Sequence, residues 1–215
     1  MTNPNKTMFA LVVDRSGSMQ DLKDEMNGAL GTLLDEQAAE PGDCDVYLAQ
    51  FDDRYDLVYS GDIKTRPPYL IEPRGMTSLL GAVGLTIDNL GTLLEAQPDD
   101  LRPGRVIVAI VTDGLENNSG ISPWSMKYAD RDKIRQMVEH QQDAYGWSFL
   151  YFGANQDAIM VGASLGVPMA SSMTYAATAE GATTTSALAS AAVSSLRSTG
   201  TFAGFTDEDR IAANT

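Results

Sequence analysis

Among its 215 residues the chain has one cysteine, Cys44, and one histidine, His140. A lone cysteine closes no internal disulfide, so a reduced, cytoplasmic setting is expected. Acidic neighbours raise a thiol pKa, which makes Cys44 structural rather than nucleophilic. A single histidine on a helical pattern removes the basis for a zinc site or a Ser-His-Asp triad, and His140 is expected at the surface. Positive charge is scarce: 15 Lys and Arg face 29 Asp and Glu, a net charge of -14 at pH 7. Such a balance gives no general affinity for phosphate backbones or anionic membranes, so neither nucleic acid nor membrane is expected as a partner. Long apolar runs are missing as well. Met8 to Val13 is too short for an export signal, and nothing approaches the ~20 apolar residues of a membrane span. A soluble, untargeted protein is expected.

What is present points to one α/β domain, since the length suits a single sizeable core better than two. Met8–Val13, Val106–Val111 and Trp147–Phe152 are continuous apolar runs of strand length, the pattern of strands buried on both faces. Between them, Leu22, Met26, Leu30, Leu33 and Leu34 recur at helical spacing, as do Leu80, Val83, Ile87, Leu90 and Leu94, and then Ile134, Met137, Val138 and Gln141. Asp45–Phe51 and Tyr55–Ser60, joined by Asp52-Asp53-Arg54, predict an antiparallel hairpin at one sheet edge. Proline and glycine pairs, Arg102-Pro103-Gly104 among them, mark loops. The expected fold is a doubly wound, mostly parallel central sheet with that edge hairpin and helices on both faces. After Phe152 the signals weaken. A short helix is expected within residues 155–166, a docking-dependent helix over Glu180–Arg197, a helix start at Thr206-Asp207-Glu208-Asp209, and a frayed or extended end.

The chemistry concentrates where strands end. Asp14-Arg15-Ser16-Gly17-Ser18 follows the first apolar run, and Thr112-Asp113-Gly114 follows Val106–Val111. Ligands in an open α/β sheet sit at the carboxyl ends of its strands. A third loop, Arg74-Gly75-Met76-Thr77-Ser78, enters a helix. Asp14, Ser16, Ser18, Thr77 and Asp113 together supply two carboxylates and three hydroxyls, a donor set suited to a hard divalent cation. Glu116, Asn117, Asn118 and Ser119 lack EF-hand spacing and are read as a solvated loop. Gly81-Ala82-Val83-Gly84 resembles half a dinucleotide fingerprint but lies inside a helical pattern.

In these three ordered motifs the chain resembles the von Willebrand factor A domain family and its metal-ion-dependent adhesion site, over roughly residues 6–197. Tyr151–Asp157 and Phe205–Asp209 look similar to small bacterial and phage members of the family. The resemblance assigns residues 1–200 to the domain and 201–215 to a C-terminal extension or tail. It implies a Mg2+ site, with Mn2+ or Ca2+ as alternatives. Ser16, Ser18 and Thr77 would be direct ligands, and Asp14 and Asp113 water-linked, charge-balancing partners. It also implies a protein partner that donates an Asp or Glu carboxylate, an AAA+ ATPase or a phage assembly protein being candidate classes. In some members the C-terminal helix shifts with the metal site; here Glu180–Arg197 holds that position, and a merely poor helix is the preferred reading.

Arg15 and Arg74 flank the ligand loops and are expected to lend positive potential to partner capture. The rival class is a metal-dependent hydrolase or phosphotransferase with Asp14 as nucleophile. There a second acid lies two residues on; this chain has Ser16 at that position, so no enzyme is expected. A third reading keeps the metal loops for folding alone.

Overall fold

The computed structural model describes residues 2–154 and 157–215. Six strands form one sheet: β1 (Asn3–Asp14), β2 (Asp43–Phe51), β3 (Tyr55–Asp62), β4 (Pro103–Thr112), β5 (Ser148–Ala154) and β6 (Ser172–Tyr175). Their order is β3-β2-β1-β4-β5-β6. Every pair is parallel except β2 and β3, which make the expected edge hairpin. The helices are α1 (Lys23–Ala39), α2 (Leu79–Glu95), α3 (Arg131–Tyr145), α4 (Ala158–Ser164), α5 (Ala179–Thr199) and α6 (Asp207–Ala213).

Alternation along β1 divides the core. Phe9, Leu11 and Val13 face α1 and α5 with Met26, Leu30, Leu34, Val193 and Leu196. Met8, Ala10 and Val12 face the other way, toward α2 and α3 with Val83, Ile87, Leu90, Ile134 and Val138. Successive strand side chains point to opposite faces, so a run apolar at every position is covered by helices on both sides. On α2, a β-carbon at Gly81 would lie 2.6 Å from Ser125 Cβ, so that glycine serves close packing and not a nucleotide.

Four stretches differ from expectation or add to it. β1 and β4 reach further toward their amino ends, with Asn3 opposite Pro103; Pro103 and Gly104 are strand, and Pro103 as first residue costs no ladder bond. β6 carries no apolar run, because its four residues gain their burial from β5, α4 and α6. α5 has a thin apolar stripe and is tied to α1 by buried polar contacts. Gln37 Nε2 donates to Ser190 Oγ at 3.1 Å and Ser194 Oγ at 2.9 Å, and Arg197 Nη1 donates to Gln37 Oε1 at 3.0 Å. The carboxyl end is docked instead of frayed. Thr206 and Asp209 form a capping box that starts α6, Ala213 is fully buried, and Phe205 packs edge-on against Phe152 at 5.7 Å between centroids. Asp157 caps α4 through Met160 N–H; Asn155 and Gln156, in the expected turn before it, lie outside the described residues. His140 is exposed and Cys44 buried, its thiol pushed up to about 11 chiefly by burial.

Candidate metal centre

β1 and β4 are neighbours whose following connections part, β1 running through α1 to β2 and β4 through α3 to β5. The strand order reverses between them, which opens a crevice at their carboxyl ends. Asp14 and Thr112, the last residues of the two strands, line it.

Asp14 is fully buried. Its Oδ1 accepts the Ser16 N–H at 2.7 Å, an Asx turn that folds the loop back over the strand end. Its Oδ2 accepts the Thr112 hydroxyl at 2.6 Å. Ser16 Oγ and Ser18 Oγ stand 3.1 Å apart, and Ser18 Oγ donates to Asp113 Oδ1 at 2.7 Å. A β-carbon on Gly114 would lie 3.0 Å from Thr77 Oγ1, 3.7 Å from Ser18 Oγ and 3.8 Å from Asp14 Oδ2. Oxygens of the first two loops therefore converge on the position beside Gly114 of the third, which glycine keeps clear, and Ser18 Oγ joins them to Asp113. All five residues expected from the sequence are brought together.

Two networks hold the loops there. In the first, Arg15 N–H donates to Phe51 O at 2.8 Å, Gly17 N–H to Gly75 O at 3.1 Å, Arg74 N–H to Arg15 O at 2.7 Å and Ser78 N–H to Asp52 O at 3.2 Å. Buried Asp52 Oδ2 accepts from Arg15 Nε at 2.9 Å and Arg74 Nε at 2.8 Å, and Arg15 Nη2 also pairs with Asp56. Gly75 takes φ +69°, and a β-carbon there would come within 2.5 Å of Asp53 Oδ1, so the turn that delivers Thr77 favours glycine. Arg15 and Arg74 are thus tied to Asp52 and Asp56, and the expected free positive potential is not there.

The second network corrects the solvated-loop reading of residues 116–119. Asn117 Oδ1 accepts Thr77 N–H at 2.9 Å, while the Asn117 and Asn118 N–H groups donate to Thr77 O at 3.1 Å. Glu116 Oε2 accepts Leu80 N–H at 2.7 Å and Ser119 Oγ accepts Gly81 N–H at 2.9 Å. Ser78 itself provides no cap, so α2 is capped by a loop distant in sequence. The one sequence signal was the density of capping residue types just after T-D-G.

Electrostatics favour a cation. Burial pushes Asp14 up to about 7 against the lowering effect of Thr112 and Ser16, with Asp113 adding to the rise. Burial also raises Asp113, partly offset by Ser18. Among the described residues no basic side chain is a main cause of either shift. Two carboxylates in one sheltered crevice destabilise each other unless a cation joins them. Among the described residues no three His, Cys, Asp or Glu side chains gather as a metal cluster. The donors are mostly hydroxyls, the chemistry of a hard ion. The residues fit a divalent cation of that class. Asp14 does not fit a nucleophile, being buried with both oxygens engaged.

No protein-family profile matches the chain, and no curated protein matches it in sequence. Solved structures do. Proximal thread matrix protein 1 from the mussel byssus is 17% identical with a TM-score of 0.59, over 85% of this chain and 46% of that one. Another structure of the mussel protein, with a zinc-occupied metal-ion-dependent adhesion motif, has 14% identity and a TM-score of 0.52 over 83% and 43%. A von Willebrand factor type A protein from Catenulispora acidiphila has 11% identity and a TM-score of 0.51 over 87% and 42%. The chain thus spans less than half the length of each of these proteins. By its sheet order, its crossovers and these likenesses, this chain has the von Willebrand factor A fold.

Proposed function

We propose that the chain is a non-enzymatic interaction module that holds a divalent cation, Mg2+ in the cell, between Asp14, Ser16, Ser18, Thr77 and Asp113. One observation carries this reading: Asp14 Oδ2, Ser18 Oγ and Thr77 Oγ1 face the spot beside Gly114, Ser18 Oγ bonds to Asp113 of the third loop, and among the described residues no basic group is a main cause of either acid's shift. Ser16, Ser18 and Thr77 would be direct ligands, with Asp14 and Asp113 balancing charge. When bound, the ion supplies an electrophilic site for an anionic oxygen, because three of the five donors carry no charge. The occupant proposed is an Asp or Glu carboxylate of a partner protein. The zinc-occupied motif of the mussel protein supports divalent binding by this fold in general. A cytoplasmic setting, with an AAA+ ATPase or an assembly protein of a bacterium or phage as partner, extends the same proposal. No helix among the described residues is long and apolar enough to cross a membrane.

The test is retention of proteins from the native host on the immobilised chain in magnesium and their release by EDTA. Loss of the retained protein with Thr77→Ala, folded by circular dichroism, supports capture through the cation. Retention that ignores both EDTA and the substitution refutes it. Turnover of a phosphate or ester substrate that disappears in Asp14→Ala would favour the enzyme class instead.

A further inference from the structure

The connection from β4 to α3, residues 113–130, is far longer than the two to six residues usual between strand and helix. Its polarity runs opposite to that of an ordinary surface loop. Polar groups turn inward: Glu116 and Ser119 to the start of α2, Asn117 to Thr77, Asn118 Nδ2 to Ser78 Oγ at 2.8 Å. Further along, Ser122 Oγ and Trp124 Nε1 both donate to Asp53 O, at 3.1 and 2.8 Å. Apolar groups turn outward: Leu115 is 61% exposed and Ile121 67% exposed. Met76, beside Thr77 on the facing loop, is 46% exposed. Leu115 adjoins Gly114, where a β-carbon would lie 3.0 Å from Thr77 Oγ1. Met76 and Leu115 therefore each lie one residue from the same contact, at the mouth of the candidate metal centre.

Glu and Asn bonded inward, with Leu, Ile and Met left exposed, is the reverse of the usual partition. Met76 and Leu115, exposed apolar side chains each next in sequence to a residue of the candidate centre, mark a contact surface there. Charge restricts what that surface accepts. Residues 113–126 contain no Lys or Arg, and the arginines nearest the ligands, Arg15 and Arg74, are bound to Asp52 and Asp56. In a chain of net charge -14, attraction for an acid comes from the cation, and the exposed Met76 and Leu115 beside it match apolar neighbours of that acid.

We propose that Met76 and Leu115 form an apolar rim beside the cation, and that the partner is a protein segment in which an Asp or Glu is flanked by aliphatic or aromatic side chains. This rests on the proposed cation-dependent capture and adds the chemistry of the residues beside the acid.

The probe is a displayed library of random dodecapeptides, selected on the whole chain in magnesium and eluted with EDTA. Enrichment of an acid with an apolar residue within two positions, and an approximately tenfold or greater loss of affinity in Leu115→Asn and Met76→Gln, is the expected result. Both variants are to be checked for unchanged magnesium binding. EDTA-eluted acidic peptides without apolar neighbours, or affinities untouched by the two substitutions, would overturn the rim and leave cation capture standing. Recovery of no EDTA-eluted peptide would overturn both. A magnesium-dependent dimer of the chain, abolished by Leu115→Asn in light scattering, would put a second copy where the partner segment is proposed and overturn that choice.

Discussion

Arg15 and Arg74 converge on one atom, Oδ2 of Asp52, from 2.9 and 2.8 Å. Arg15 belongs to the loop of Ser16 and Ser18, Arg74 to the loop of Thr77, and Asp52 to the hairpin turn between β2 and β3. A single buried carboxylate thereby fixes the spacing of two ligand loops that share no sequence neighbourhood. Burial alone would raise its pKa, but hydrogen bonds from Arg74 and Arg54 N–H and the charge of Arg15 hold it below the ordinary carboxylate range.

Asp52→Asn keeps the shape and removes the charge. Groups that orient metal ligands commonly contribute 10- to 100-fold in affinity. Calorimetry with Mn2+ should show at least a tenfold loss for Asp52→Asn. An unchanged affinity would mean that the loops hold their geometry without it.

Asp14 gives the pH dependence. Its metal-free carboxyl titrates near 7, above its unfolded value of 3.8. Between those values the folded state holds the proton and the unfolded state does not, so Asp14 makes the metal-free protein less stable as pH rises from about 4 to 7. A divalent cation must displace that proton, so its affinity should climb over the same range and level off above pH 7. Asp14→Asn, melted in EDTA at pH 8, should be at least as stable as wild type and should gain nothing from magnesium. A variant that melts far below wild type in EDTA would contradict this.

Glu116→Ala removes the acceptor for Leu80 N–H and for the Ser119 hydroxyl. Loss of a helix cap costs about 1 to 2 kcal/mol, and urea denaturation should show that much. Because the same loop anchors Thr77, magnesium affinity should fall with it. Stability lost with affinity intact would separate the cap from the centre.

Tyr175 ends β6 with its hydroxyl buried and, among the described residues, without a hydrogen-bond partner, beside an apolar cavity of about 30 Å³ under α5. A buried polar group without a hydrogen bond costs roughly 1 to 3 kcal/mol. Tyr175→Phe should therefore match or exceed wild type in its denaturation midpoint. A loss of more than about 1 kcal/mol would reveal a polar contact at that hydroxyl.

The candidate centre was legible because its donors follow strand-length apolar runs, which place Asp14 and Asp113 at strand ends before any contact is known. The three buried runs and the hairpin were legible for the same reason. What escaped depends on distant partners. Glu116 and Asn117 look like solvent-facing residues until the groups that donate to them, Leu80 N–H and Thr77 N–H, are brought over at the start of α2. Arg15 looks like a free charge until Asp52, 37 residues on, meets it. β6 has four residues and no apolar period, so only its pairing with β5 makes it a strand. Gln37 and Arg197, polar in sequence, hold α5 to α1 in place of an apolar seam.

The central claim is one hard cation among three loops, and electron paramagnetic resonance of Mn2+ titrated into the whole chain tests it most directly. One bound ion per chain, displaced by excess magnesium and lost in Thr77→Ala and Ser18→Ala variants with wild-type circular dichroism, is the predicted result. Free-ion spectra at every ratio, or binding that survives both substitutions, would contradict it.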